Sequence, residues 1–379
     1  MPIAPIYLIA LMCVLNHSAF AGSRMVLSLY ALQLGANPFM IGVLMALYAI
    51  CPMLLAVYVG RLADRIGPRG PMMVGSLGVG LAMLLPPLFP GLPALYASSF
   101  LIGSSFHFFF VTVHGITGGI GGAENRARNY ALVAMGFSAA GLIGPFSAGL
   151  AIDHLGHLKA FLTLSVLTAI PFVLMWAYPA FLPKGKGVAQ AGGARVLDLW
   201  RMPKLRTAFI ASGILSAAWD LFQFYFPIYG HSLGLSASVI GAIIGMFSLA
   251  TFLVRIWLPR WAKHAGEASI LVYGIFIAAA AFVLLPLFEN PWLLAAAAFL
   301  LGMGVGAGQP MSMSLIYAMA PAGRASEAAG LRVVVNNVAH LAIPLLFGGV
   351  GAALGFAPVF LSNAAMLAVG GELMRRRGR

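Results

Sequence analysis

Two long apolar runs are separated by the charged segment Gly60-Arg61-Leu62-Ala63-Asp64-Arg65-Ile66-Gly67-Pro68-Arg69-Gly70. The runs cover residues 41–59 and 71–88, and each is long enough to cross a bilayer as a helix. A tight charged loop between two such runs is typical of a membrane protein. We expect its glycines to turn the backbone, and Asp64, an acid among arginines, to contact a cation or a helix end.

The composition indicates many membrane spans. Of the 379 residues, 61% are hydrophobic and 8% are charged, against about 25% charged in an average soluble domain. The net charge of +13 comes from basic residues in short loops, so membrane topology accounts for it better than nucleic-acid binding. No phosphate-binding loop or catalytic triad is recognisable, and we expect neither an enzyme nor a bound cofactor.

Apolar runs of about 20 residues recur along the whole chain and predict twelve transmembrane helices. The predicted spans of the first half are 6–31, 39–59, 71–89, 93–118, 129–151 and 159–181. Those of the second half are 206–229, 237–258, 268–288, 291–318, 328–350 and 356–373. The predicted fold class is therefore an all-α membrane protein.

Basic residues mark one side of the membrane. They cluster in alternate loops and in the tail, at Arg61, Arg65, Arg69, Arg126, Arg128, Lys184, Lys186, Arg260, Lys263, Arg324, Arg375, Arg376 and Arg377. The opposite loops hold only Lys159, near a helix end. The positive-inside rule then predicts that both termini are cytoplasmic.

A linker divides the chain. Residues 182–205 are rich in Gly, Lys and Ala and lack a spanning pattern, which separates an N-terminal half, 1–181, from a C-terminal half, 206–379. A shift of 199 positions relates the two halves, for example Leu34-Gly35 to Leu233-Gly234 and Gly103 to Gly302. One shift that recurs in this way predicts two six-helix halves with pseudo-symmetry.

The opening segment resembles a motif of a known transporter family. Its pattern Gly-x-x-x-Asp-Arg-x-Gly-x-Arg falls on Gly60, Asp64, Arg65, Gly67 and Arg69. It is similar to the loop between the second and third helices of the major facilitator superfamily, and it departs from that family at Pro68, where a basic residue is usual. The resemblance implies alternating access, with Asp64 holding the outward-open state by contacting the eleventh helix near residues 324–327.

The fifth helix contains a second motif. Gly144-Pro145-Phe146-Ser147-Ala148-Gly149 resembles the Gly-Pro-x-x-Gly-Gly motif of the drug–proton exporters, with Ala148 in the first of the paired glycine positions. Gly144, Pro145 and Gly149 would permit close helix approach and a kink, although ordinary small-residue packing explains them too. The exporters usually carry an arginine four residues before a glycine in the fourth helix, where this chain has Ser99 before Gly103.

The resemblance also implies that the first, fourth, seventh and tenth helices line a central cavity. The candidates for proton coupling are Asp220, His107 and His17. The candidates for the substrate cavity are Asn16, Arg24, Gln223, Gln309 and His340. Burial of such groups in lipid is costly, so we expect them to face protein or water. A hydrogen-bonded packing role is the alternative for a lone histidine.

Asp220 is the one carboxylate that the predicted spans place well inside the membrane. Burial favours its neutral form and a neighbouring cation its charged form, so its proton affinity changes with conformation, as a proton-coupled carrier requires. The alternative is a structural ion pair with an arginine. Arg24 has no acid within helical reach and is expected to pair across helices or with an anionic substrate. Arg255 and Arg332 are expected to snorkel to the surface.

We therefore predict a multi-pass secondary transporter of the inner membrane, resembling the twelve-helix drug–proton antiporter branch, that exports a small amphipathic or drug-like molecule. The first alternative is proton-coupled uptake of a small organic anion, based on Arg24 and the missing fourth-helix arginine. Divalent-metal transport through His17, His107 and Asp220 lacks a supporting cysteine or carboxylate cluster, and no metal site is predicted. A non-transporting membrane sensor is the last alternative. The expected partners are the lipid bilayer, a small-molecule substrate and protons, and we expect a monomer that binds no nucleic acid.

Overall fold

A computed structural model of the chain describes residues 5–117, 120, 125–178, 182, 197–321 and 324–377. These residues contain helices and no strand. The helices of the first half are α1 (Pro5–Gln33), α2 (Pro38–Ile66), α3 (Arg69–Leu88), α4 (Leu92–Thr117), α5 (Arg126–Leu155) and α6 (His157–Ala177). Those that follow are α7 (Leu197–Arg201), α8 (Pro203–Ser232), α9 (Ala237–Ala265), α10 (Glu267–Leu284), α11 (Pro291–Gly306), α12 (Gly308–Met319), α13 (Ala325–Leu354) and α14 (Phe356–Arg377).

Twelve segments of the described chain are long and apolar enough to cross a membrane, which confirms the predicted all-α membrane fold. The tenth segment comprises α11 and α12, and the short helix α7 precedes the seventh, α8. Because twelve is even, residues 5 and 377 lie on the same side of the bundle. We call that side the terminal face and the other side the distal face.

The two halves repeat one packing scheme. α4 contacts α2 where Gly103 lies against the Tyr48 backbone, and α11 contacts α9 where Gly302 lies against the Phe247 backbone. The same shift of 199 positions relates both members of each contact. Turn glycines with positive φ follow this shift as well, in the pairs Gly35 and Gly234, Gly67 and Gly266, and Gly156 and Gly355. The predicted pseudo-symmetry of the halves is thus confirmed.

The charged opening segment is shorter as a loop than predicted. α2 continues to Ile66, so Gly60 lies inside a helix and the prediction that it turns the backbone is wrong. Residues 61–65 are mostly good helix formers, and helix formation continues until a residue interrupts it. Gly67 does so with φ of 88°, a left-handed conformation that glycine adopts without strain. The turn between α2 and α3 therefore consists of Gly67 and Pro68 alone.

The predicted linker, 182–205, is only partly described. Residues 183–196 lie outside the described part of the chain, whereas α7 and the start of α8 occupy its last residues. The helical second half accordingly begins at Pro203 rather than at residue 206.

The tenth span, predicted as one helix over 291–318, is broken in the structure. α11 ends at Gly306 and α12 begins at Gly308. Pro310 lacks a backbone N–H, and its ring clashes with the carbonyl four residues earlier, so an unbroken helix is unfavourable here.

The halves meet mainly where α1 packs on α8, α2 on α13 and α5 on α9, with a smaller contact between α2 and α8. Close backbone contacts lie toward the distal face, where Gly42 packs on the Pro344 carbonyl and Gly149 packs on the backbone of Ala237. Small residues permit such close approach of helices.

Candidate functional site

Three charged or titratable side chains meet where the halves join. Nη1 of Arg24, from α1, lies 3.6 Å from Oδ1 of Asp220, from α8. Nδ1 of His340, from α13, forms a hydrogen bond with the other carboxylate oxygen, Oδ2. The Asp220 side chain is 5% exposed, against 17% for Arg24 and 34% for His340. The carboxylate of the second half is therefore held between a cation of the first half and an imidazole of its own half. We call these three residues the charge triad.

Helical spacing extends the site from the triad toward the terminal face. α1, α8 and α13 all begin on that face, so lower residue numbers in each helix lie nearer to it. His17 precedes Arg24 by seven residues, Ser212 precedes Asp220 by eight and Arg332 precedes His340 by eight. At 1.5 Å per residue these offsets are about 10–12 Å, and they keep each residue on the same helix face as the triad member. The three residues therefore lie at similar depth.

The second half contributes a polar wall at this depth. Its members are Ser212, Ser216, Gln309, Ser312, Arg332 and Asn336. The Arg332 guanidinium donates to Oε1 of Gln309 at 2.8 Å and to Oγ of Ser312 at 3.2 Å. Oγ of Ser212 donates to Oδ1 of Asn336 at 3.0 Å. Arg332 is 5% exposed, so the prediction that it snorkels to the surface is wrong. The acceptors that α12 supplies keep its guanidinium inside the bundle.

The first half contributes an aromatic wall. Its members are His17, Phe20, Phe106, Phe110, His114 and Phe137. The His17 ring lies 5.3 Å from that of Phe106 and 5.0 Å from that of Phe137, and the Phe20 and Phe106 rings stack at 4.0 Å. His17 is on the α1 face that carries Arg24, whose side chain reaches α8. The aromatic wall therefore faces the second half.

The predicted proton-coupling residues are not all brought together. Asp220 contacts His340, a predicted residue of the substrate cavity, whereas no hydrogen bond joins it to His17 or His107. Nδ1 of His17 and Nε2 of His107 have no hydrogen-bond partner among the described residues. Neither histidine is a direct proton partner of Asp220 in this arrangement.

The predicted cavity residues have different surroundings. Asn16 is fully buried and donates to Ser76 of α3, so a hydrogen bond within the first half holds it between helices. Gln309 is exposed beside Arg332. Gln223 is half-buried, near the triad on α8.

The residues of the predicted gating loop lie at the terminal face. The Asp64 side chain is outside the described part of the structure, and Arg65 is exposed. Arg69 donates through Nε and Nη2 to the carbonyls of Met175 and Trp176, at 3.1 and 3.2 Å. These carbonyls are at the end of α6, where a helix has unpaired acceptors and a partial negative charge. Arg69 therefore ties the start of α3 to the end of α6.

The fifth-helix motif lies at helix contacts. Gly144 packs against Ser18 and Gly22 of α1, Gly149 against the start of α9, and the carbonyl of Pro145 against Gly241 of α9. The motif is therefore part of the junction between the halves.

A further contact between the halves was not predicted. Asp153, at the end of α5, accepts backbone N–H groups from Ala237 at 3.1 Å and Ser238 at 2.8 Å. These residues begin α9, where the N–H groups of a helix are unpaired. The sequence signal was weak, since Asp153 lies just beyond the predicted fifth span, 129–151.

No group of three or more His, Cys, Asp and Glu side chains in the described ranges could hold a metal ion. The alternative of divalent-metal transport gains no support from this part of the chain.

Comparison with known proteins identifies relatives of this architecture. The family model described as "Major Facilitator Superfamily" matches residues 9–339 and 208–377. The tetracycline resistance protein, class D, of Salmonella ordonez is 25% identical over 325 residues, covering 81% of this chain and 78% of that protein. The multidrug resistance protein MdtG of Salmonella paratyphi A is 23% identical over 381 residues, covering 94% and 90%.

Solved structures share the fold. A peptide transporter POT, crystallised in complex with sulfate, superposes with a TM-score of 0.84 at 15% identity, covering 99% of this chain and 94% of that one. The nucleoside transporter NupG superposes with a TM-score of 0.82 at 14% identity, covering all of both chains.

Proposed function

Because this chain belongs to the Major Facilitator Superfamily, we propose that it exports small amphipathic, drug-like molecules in exchange for protons, by alternating access. The superfamily model covers the chain, which is a multi-pass membrane transporter rather than an enzyme. Export is supported by the tetracycline and multidrug resistance proteins among its relatives. The proposal assigns the coupling proton to Asp220.

The observation that carries the proposal is the charge triad. Two unit charges 3.6 Å apart attract by roughly 4–5 kcal/mol at an effective dielectric constant of about 20, before desolvation offsets part of this. Moving a two-state equilibrium from 1:99 to 99:1 takes about 5.5 kcal/mol. One protonation event at Asp220 therefore changes an energy of the size that a conformational switch requires.

The triad couples the proton to the halves because its members belong to both. The ionised Asp220 carboxylate attracts Arg24 and so holds α1 against α8. A proton on Asp220 removes the charge that Arg24 needs, and His340 is positioned to deliver or accept that proton through Nδ1. The halves then separate more easily where the triad joined them.

The loop charges support an orientation in the membrane. We place both termini in the cytoplasm, so that the distal face is the outer one. We take the monomer as the transporting unit. The rival proposal of organic-anion uptake is based on Arg24 and on the missing fourth-helix arginine, and the ion pair of Arg24 with Asp220 removes the first of these two supports.

The test is proton antiport in inside-out vesicles that contain the protein. A fluorescent indicator reports the pH gradient across the vesicle membrane, and tetracycline, ethidium and 1-naphthoate are added in turn. Substrate-driven proton release dissipates the gradient, and the fluorescence of the indicator recovers. We expect recovery with at least one compound in the wild type and none in Asp220→Asn.

Glu267→Gln is the matched control, because Glu267 accepts a hydrogen bond from Ser314 within the second half and its helix, α10, packs mainly on helices of that half. It should retain antiport. Recovery in Asp220→Asn vesicles equal to that of the wild type would exclude Asp220 as the proton carrier.

A further inference from the structure

Arg332 is a buried cation whose hydrogen-bond partners in the described part of the chain are all neutral. Its hydrogen-bond acceptors are Gln309 and Ser312, and its Nη1 lies near the sulfur of Met313. No carboxylate of the described residues lies within 4 Å of it. Asp220, on the neighbouring helix α8, is committed to Arg24 and His340. A buried arginine is costly unless an anion neutralises it, so the polar wall carries an unmatched positive charge.

A cleft lies beside this charge. The residues that line it include Ser212, Ser216, Trp219, Gln309 and Arg332. The guanidinium and hydroxyl groups at its wall are donors that suit carboxylate and phosphonate oxygens.

The aromatic wall lies at the same depth on the other half. Its rings at His17, Phe20, Phe110 and Phe137 are half-buried and have room for a further apolar contact. Ring faces and edges of this kind bind aromatic groups by stacking and edge contacts. The two walls differ in chemistry although pseudo-symmetry relates the halves. The aromatic wall accommodates a flat apolar body, and the polar wall accommodates an anionic group.

We propose that the transported substrate is an amphipathic anion, with its carboxylate or phosphonate bound by Arg332 and its aromatic body held against the aromatic wall. This rests on the proposed function, because it takes the ligand to be the exported molecule. It narrows that function from drug-like molecules in general to those that carry a negative charge beside a ring system. It also assigns Arg332 as the residue that selects for the charge.

Binding to the purified full chain in detergent tests the proposal without any gradient. The probes are two aromatic anions, 1-naphthoate and 1-naphthylphosphonate. The aromatic cation 1-naphthylmethylammonium is the control for charge, and acetate, an anion without a ring, is the control for the aromatic body. Calorimetry measures each affinity. We expect the two aromatic anions to bind at least tenfold more tightly than the aromatic cation and acetate.

Variants then locate the charge selection. Arg332→Gln should weaken naphthoate binding at least tenfold, and Arg332→Lys should restore part of it, because a point charge remains without the planar fork. Arg255→Gln is the matched control, since Arg255 is also an arginine within a span but bonds to Ser138 between α9 and α5. It should bind naphthoate as the wild type does. Phe137→Leu should weaken naphthoate binding and leave acetate binding unchanged.

Several results would overturn the proposal. They are equal binding of the aromatic anion and the aromatic cation, unchanged naphthoate affinity in Arg332→Gln, and failure of the wild type to bind either aromatic anion. Tight binding of acetate alone would show a simple anion site and would likewise reject it. The Asp220→Asn variant separates this proposal from the proposed function. The proposed function requires that the variant lose antiport, whereas the present proposal requires that it still bind aromatic anions more tightly than the aromatic cation.

Discussion

Replacing Asp153 with alanine should favour opening of the distal face. Its carboxylate crosses from α5 to the first N–H groups of α9 and so joins the two halves there. Removing a side chain that caps a helix costs about 0.5–2 kcal/mol, and the exposure of Asp153 argues for the middle of that range. A loss of about 1 kcal/mol changes the ratio of distal-closed to distal-open molecules by roughly fivefold.

Pulsed electron–electron resonance measures that ratio. Spin labels replace Phe89 and Leu287, which are exposed at the distal face in opposite halves, in a background without Cys13 and Cys51. The distance distribution should gain a longer component in Asp153→Ala. Asp153→Asn keeps one acceptor oxygen and should show a smaller gain.

Asn37→Ala is the control for helix capping as such. Asn37 caps α2 at the same face by accepting from the Met40 N–H, at 2.9 Å, and that contact lies within the first half. It should lower stability without changing the distance distribution. An unchanged distribution in Asp153→Ala, or an equal change in Asn37→Ala, would refute the reasoning.

Two further predictions follow from contacts between helices. Gly103→Ala should destabilise the protein by about 1–3 kcal/mol, because the new methyl group would overlap the Tyr48 backbone, whereas Gly115→Ala in the same helix meets open space and should be neutral or stabilising. Thermal unfolding in detergent distinguishes the two, and equal melting temperatures would contradict the packing argument. Asp64→Asn should shift the same spin-label distances toward the distal-closed state, opposite in sign to Asp153→Ala, if Asp64 stabilises the state that is closed at the terminal face. A shift of the same sign in both variants would reject that role.

Much of the fold follows from the sequence because a bilayer imposes one length and one polarity on every span. Hydropathy therefore predicted twelve helices, and the 199-residue shift predicted two related halves, in which the structure shows equivalent contacts for Gly103 and Gly302. Helix ends were less predictable. Gly60 was expected to turn the chain, yet helix propensity on both sides carried α2 through it.

The site could be predicted only as a set of candidates. Asp220 and Arg24 were singled out because an ionisable group inside a membrane needs a partner, and they are partners of each other. The roles of His340 and Arg332 depend on how α13 is rotated against α8 and α12, which no local pattern specifies. A signal was present in the four-residue spacing of Arg332, Asn336 and His340, which places all three on one helix face.

The ion pair between the halves also bears on biosynthesis. Arg24 enters the membrane early, and Asp220 follows it by 196 residues. At about 5–20 residues per second, Arg24 waits roughly 10–40 s for its counter-charge. Until then the nascent first half carries an uncompensated cation on the surface that the second half will cover. Each half made alone would present a charge opposite to that of the other, so the pair favours assembly of unlike halves over association of two copies of the same half.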